Sequence, residues 1–117
     1  MPDPFELLVV VRHWIRLADD DLLTASTTLK LGRRCPTGTV CFHAQQCIEK
    51  YLKALLALRG IRFPMTHDIN QLASLLPKTE PCPLDTTTRI RMTRYATVTR
   101  YPGDYVEPTV QDAREAV

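Results

Sequence analysis

Apolar residues recur at three- and four-residue spacing along most of this 117-residue chain, and two-residue alternation is nearly absent. Between about Pro4 and Leu31 the repeating positions are Val11, Trp14, Ile15, Ala18, Leu22, Ala25 and Leu29, the stripe of a helix that packs along one face. Gly32 stands where a helix end favours a residue that tolerates left-handed backbone, and GRRCPTG reads as a connecting loop. Pro36 and Thr37 suit a second helix start: proline fits the first turn, and a threonine hydroxyl can accept from free amides. That helix should run to about Arg59, ahead of Gly60, on a stripe of Cys41, Ala44, Ile48, Tyr51, Leu52, Leu55 and Leu58. Its polar residues, Gln45, Gln46, Glu49, Lys50 and Lys53, are expected on the opposite, solvated face. Glu49 and Lys53 stand in the favourable order for an i, i+4 ion pair.

The second half is more broken. GIRFPMTHDINQLASLLP predicts a turn and a short helix, with Thr66 as cap, Asp68 beside the positive end of the helix dipole and Pro77 as terminator. KTEPCPLD is a proline-rich loop. A fourth helix is expected from about Asp85 to Thr99; it has a poorer stripe and three arginines, Arg89, Arg91 and Arg94. Tyr101 precedes Pro102, which disfavours helix there and should stop it near Arg100; Pro102 and Gly103 then suit a type II turn. Thr109 caps a last helix that reaches Val117 after barely two turns, too short to hold without tertiary contacts. Truncation, or a partner that completes the packing, would account for that. The sum is an all-α protein, one domain over residues 1–117, folded as a four- to five-helix up-and-down antiparallel bundle.

Composition narrows the function classes. At 44 % apolar and 24 % charged, the chain is ordinary globular material, and a formal net charge of +2 does not by itself imply nucleic acid. No apolar run approaches the roughly 20 residues that span a bilayer, and the start MPDPFELLVVVRHW lacks a basic n-region and a small-residue cleavage site. No membrane association is expected. Cys35, Cys41, Cys47 and Cys82 form no CxxC pair, so buried free thiols in a reducing cytoplasm are the expectation. His43 and Cys47 could share one face of a helix, but no second ligand pair lies at zinc-like spacing. Neither a metal nor a cofactor is expected.

Several polar residues need a reason. Asp21 falls between Ala18 and Ala25 on the apolar side of the first helix, where a carboxylate must be paired or wet; an ion pair with a base on a neighbouring helix is the expected role. Gln46 and Glu49 are read as structural polar residues. His67 and Asp68 are neighbours that point in different directions on a helix, so helix capping is favoured over a proton-transfer dyad. Arg100, Tyr101 and Tyr105 gather in one turn, and a guanidinium with two phenols can bind phosphate and stack a base.

Four stretches, WIRLADDDLLTA (14–25), FHAQQCIEKYLKALLALRGI (42–61), THDINQL (66–72) and RYP (100–102), lie in the order and spacing of the HEPN family, and the chain resembles that family over nearly its whole length. The resemblance implies a helical bundle that forms a homodimer, with a cleft between protomers near the RYP segment. It also implies a small nucleotidyltransferase as partner, in pairs of the toxin–antitoxin kind. A subset of the family are metal-independent ribonucleases whose motif is an arginine and a histidine with four to six residues between them. Here the chain departs from that motif: Tyr105, Val106 and Glu107 occupy the positions where the histidine would stand relative to Arg100. The one literal match, Arg62 and His67, lies in the loop before the third helix rather than at the family position. The favoured reading is therefore a non-catalytic dimeric nucleotide- or RNA-binding module or nucleotidyltransferase partner, with Arg100, Tyr101 and Tyr105 lining the cleft. The alternative is a ribonuclease toxin in which Arg100 works with a substitute base such as Tyr105, or in which His67 serves. Leu56 and Ala57, apolar residues beside the main stripe of the second helix, are further expected at a dimer contact.

Overall fold

The computed structural model describes residues 3–97 and 108–117. Among these residues five α-helices follow one another: α1 (Pro4–Leu29), α2 (Thr37–Leu58), α3 (Ile69–Ser74), α4 (Thr86–Thr97) and α5 (Val110–Ala116), with a 3₁₀ turn at Gly32–Arg34 between α1 and α2. They form the expected all-α, up-and-down antiparallel bundle. Asp3 caps α1 by accepting from the Phe5 amide at 3.0 Å, and Pro4 takes the first helical position, where its missing N–H costs nothing. The helix ends at Leu29, two residues before the expected Leu31, and Gly32 turns the chain with φ +61. Gly60 plays the same part after α2, with φ +69.

α1 and α2 are the long pair, and small buried residues on them (Ala18, Ala25, Cys41, Ala44 and Cys47) permit close approach of the two backbones. α3, α4 and α5 cover the other side of α2. The core between them is built on Leu52, Leu56, Ile69, Leu72, Met92 and Ala113. Leu56, Ile69, Leu72 and Met92 are at most 2 % exposed, and full burial of side chains this size contributes about 1.5–3 kcal/mol each. Leu56, expected at a dimer contact, is therefore a core residue at 0 % exposure. α5 has only seven residues; a reciprocal capping box between Thr109 and Asp112 and the buried Ala113 hold it in place.

Two expectations for helix starts are corrected. Pro36, not Thr37, is the cap position of α2, and the buried Thr37 hydroxyl has no hydrogen-bond partner among the described residues. For α3 the cap is Asp68, whose carboxylate accepts from the Gln71 amide at 3.1 Å. Thr66 instead accepts from the Asp68 amide, tightening the turn before it.

The larger correction concerns which face of α2 is wet. Because α1 packs on one side and α3–α5 on the other, the polar row Gln45, Glu49 and Lys53 is buried, at 0 %, 2 % and 8 % exposure. Part of the apolar stripe is left at the surface: Ile15, Leu22, Tyr51 and Leu58 are 37–43 % exposed. A stripe identifies an apolar face, but it does not say how many neighbours the helix has.

Candidate functional site

Two polar clusters lie along α2. In the first, Asp21 of α1 sits between His43 and Lys50, which are seven residues apart on α2 and so on the same side two turns from one another. The Asp21 carboxylate is 2.8 Å from His43 Nδ1 and accepts from Lys50 Nζ at 2.5 Å. Beside this cluster, the Tyr51 hydroxyl donates to Asp19. Asp21, only 8 % exposed, thus has cationic company from the neighbouring helix.

In the second cluster, residues at i, i+4 and i+8 stack along α2. Glu49, its side chain 3 % exposed, holds His67 Nδ1 at 2.7 Å and accepts from Gln45 Nε2 at 3.2 Å on one oxygen; Lys53 Nζ lies 3.1 Å from the other. Gln45 Nε2 also donates to the His67 carbonyl at 3.2 Å, and Gln46 donates to Gln45 Oε1 at 2.6 Å. The Lys53 ammonium lies 5.4 Å from the Trp14 ring centroid, a cation–π contact that offsets part of its desolvation. A buried carboxylate is tolerated because three donors surround it. The network ties the α2–α3 connection to the middle of α2.

His67, expected as part of a cap, thus turns to Glu49 while Asp68 does the capping. Its side chain is 62 % exposed. With Nδ1 donating to the carboxylate, a neutral ring has Nε2 as its acceptor. The cluster can therefore orient an imidazole. The spacing of Gln45, Glu49 and Lys53 was visible in the sequence; that it meets His67 was not, because eighteen residues separate Glu49 from His67.

Arg100, Tyr101 and Tyr105, together with the Pro102–Gly103 turn, lie outside the described residues. The elements that flank them are described. Cys41, in the first turns of α2, shares a side-chain hydrogen bond with Tyr95 near the end of α4, and the charge of Asp112 in the first turn of α5 reaches it. Arg62, the arginine of the literal motif match, is exposed in the α2–α3 connection.

Burial pushes the Cys41 and Cys47 thiols up to about 11, with Asp21 and Asp19 adding to the effect at Cys47. All four cysteines are free. His43, the possible metal-sharing neighbour of Cys47, points its Nδ1 at Asp21 instead. Among the described residues no cluster of three or more His, Cys, Asp or Glu side chains could hold a metal ion.

The model of the HEPN domain matches residues 11–117. The chain belongs to the HEPN domain family. Searches among curated proteins and among solved structures gave no match. In this HEPN protein the surface part of the apolar stripe does not stand alone. Leu22, Ile48, Tyr51 and Leu55 line a groove of about 460 Å³ with the Cys82–Leu84 loop and Val117. A shallower depression beside it carries the same face on through Val11, Ile15 and Leu58. Among the described residues, no helix is long and apolar enough to cross a membrane.

Proposed function

We propose that this HEPN protein is a non-catalytic, dimeric module that binds nucleotide or RNA, or serves a small nucleotidyltransferase as partner in a toxin–antitoxin-like pair. The proposed setting is a reducing cytoplasm. The observation that carries the non-catalytic half is the placement of the histidines. The positions that would complete an Arg100 motif hold Tyr105, Val106 and Glu107 and no histidine, while His43 directs Nδ1 to the Asp21 carboxylate within the bundle. A tyrosine, with an ordinary pKa near 10, is a poor base at neutral pH. Arg100 is assigned phosphate binding, since its fork matches phosphate geometry, and Tyr101 and Tyr105 offer stacking faces. No metal or cofactor enters the reading.

One observation favours a second reading. Glu49 orients the exposed ring of His67, five positions after Arg62, and an imidazole held in this way can move a proton to or from a ribose hydroxyl. The two readings separate in one experiment on the isolated protein. Binding of nucleotide or RNA that is salt-sensitive and abolished by Arg100→Ala, without strand cleavage, is the expected result. Cleavage lost in both Arg100→Ala and Tyr105→Phe would establish the ribonuclease built on Arg100. Cleavage lost in His67→Ala and retained in Arg100→Ala would place the chemistry at the Glu49–His67 pair.

A further inference from the structure

Helix α1 carries two apolar rows at seven-residue spacing, and the protomer encloses only one of them. Val11, Ala18 and Ala25 are buried, and α2 is the helix on which α1 chiefly packs. Leu8, Ile15 and Leu22, beside them on the helix surface, are 47 %, 38 % and 37 % exposed. Seven residues make nearly two full turns, so the second row is a seam of the kind along which helices pair. The seam also overhangs the bundle. α2 ends at Leu58, which lines a depression with Val11 and Ile15. The turns of α1 ahead of Val11 run on past that point, with Phe5 72 %, Val9 55 % and Val10 48 % exposed. The HEPN match begins at Val11, so this overhang lies outside the family pattern.

Charge decides what fits the seam. Beside it stand Arg12 and Arg16 in one half of α1 and Asp19 and Asp20 in the other, all four exposed. Arg16 and Asp20 are four residues apart, yet none of the four is ion-paired among the described residues. Asp19 has the Tyr51 hydroxyl as its partner. A second α1 laid antiparallel, with the crossing at Ile15, brings Leu8 opposite the partner's Leu22. The same crossing brings Arg12 within one residue of the partner's Asp19, and two-fold symmetry repeats both contacts. A parallel crossing would set arginine against arginine and aspartate against aspartate, which like-charge repulsion opposes. Phe5, one turn beyond Leu8, then reaches the partner's groove of about 460 Å³, which Leu22 lines with Ile48, Tyr51 and Leu55.

We propose that a second copy of this chain occupies the α1–α2 face, its α1 antiparallel to the first. The Phe5–Val10 overhang of each protomer seats in the groove beside the partner's Leu22, and Arg12 pairs with the partner's Asp19. The proposal rests on the dimeric half of the reading above and deepens it. It fixes the face and direction of the contact and gives residues ahead of the family match the task of closing it. Each protomer supplies one overhang and one groove, so the contact is self-complementary and ends at two copies.

The test follows the mass of the full chain by light scattering at micromolar concentration, with helicity by circular dichroism. It compares wild type, Phe5→Gln/Leu8→Gln, Arg12→Glu/Arg16→Glu and the quadruple reversal Arg12→Glu/Arg16→Glu/Asp19→Lys/Asp20→Lys. All six positions are exposed, so helicity should hold in every variant. The wild-type mass should be halved in both double variants. It should return in the quadruple reversal, which places opposite charges together in the antiparallel direction and like charges in the parallel one. Wild-type mass in both double variants would overturn the proposal and leave standing a dimer through another face. A halved mass in all three variants would overturn the antiparallel pairing and the proposal with it. A monomeric wild type would overturn both this contact and the dimeric reading. Such a monomer floating with phosphatidylglycerol vesicles, with flotation lost in Phe5→Gln/Leu8→Gln, would make the overhang a membrane surface instead.

Discussion

At the scale of single residues, burial changes the chemistry of groups that look unremarkable in the sequence. Cys41 and Cys47 belong to a stripe and its edge, yet enclosure between helices raises both thiols from 9.0 to about 11. Tyr95, also raised to about 12 chiefly by burial, follows the same logic. The sign for stability is set by linkage. Above about pH 9 the unfolded chain loses thiol protons that the folded chain still holds, so ionisation favours unfolding. The stabilising contribution is complete below pH 9 and disappears as the pH rises towards 11. The urea midpoint should accordingly fall between these values, and a Cys41→Ala/Cys47→Ala variant should show a shallower fall. An equally steep decline in that variant would mean the thiols are not responsible. Thr37 makes a different point: its hydroxyl is buried without a hydrogen-bond partner among the described residues, although the sequence suggests a cap. Whether a threonine caps depends on the backbone angles of the residue before the helix, and here Pro36 holds the cap position.

At the scale of elements, α2 organises the molecule. It offers α1 the base pair His43 and Lys50 for Asp21, and it offers the α2–α3 connection the carboxylate of Glu49. Removing Glu49 takes the acceptor from the buried Lys53, and removing Asp21 takes it from the half-buried His43 and Lys50. Glu49→Ala should destabilise the fold by about 3 kcal/mol, because the buried Lys53 loses its partner and Gln45 keeps only the His67 carbonyl. Asp21→Ala should cost less, about 2 kcal/mol, since Lys50 and His43 are more accessible than Lys53. Urea unfolding of the two variants checks both figures. A loss within about 0.5 kcal/mol for Glu49→Ala would show that the network contributes no more than an ordinary surface contact. Asp21 stands out in the sequence as a charge among apolar neighbours, and Glu49 only as the acid of an i, i+4 pair with Lys53. Their partners did not, since Lys50 lies 29 residues from Asp21 and His67 lies 18 from Glu49.

At the scale of the whole molecule, the unfinished business is the apolar face that runs across α1 and α2 from Leu58 and Ile15 to Leu22 and the groove beside Val117. Scattered exposed apolar residues are normal, but a continuous face of this kind marks an interaction site. The proposed homodimer would cover it. Light scattering at micromolar concentration should give twice the 13.3 kDa chain mass, and Ile15→Glu/Tyr51→Glu should reduce it to the monomer value without loss of helicity. A wild type at monomer mass throughout would refute the dimer. This face differs from the contact suggested by Leu56 and Ala57, because Leu56 is wholly enclosed within one protomer.

What the sequence determined by itself is much of what depends on local spacing, the Thr37 and Thr66 caps excepted. The five helices, the stops at Gly32 and Gly60, the Thr109 cap and the family motifs all come from neighbours within a turn or two, where the backbone hydrogen-bond period imposes the pattern. Tertiary structure alone decided how many sides of each helix are covered. A helix in contact with one neighbour keeps its polar row in water; α2 has neighbours on both sides, so Gln45, Glu49 and Lys53 went inside with their partners while Tyr51 and Leu58 stayed at the surface. It also decided that Tyr95 of α4 and Ala113 of α5 join Cys35, Val40 and Cys41 in one core cluster, residues that lie more than fifty positions away in the chain.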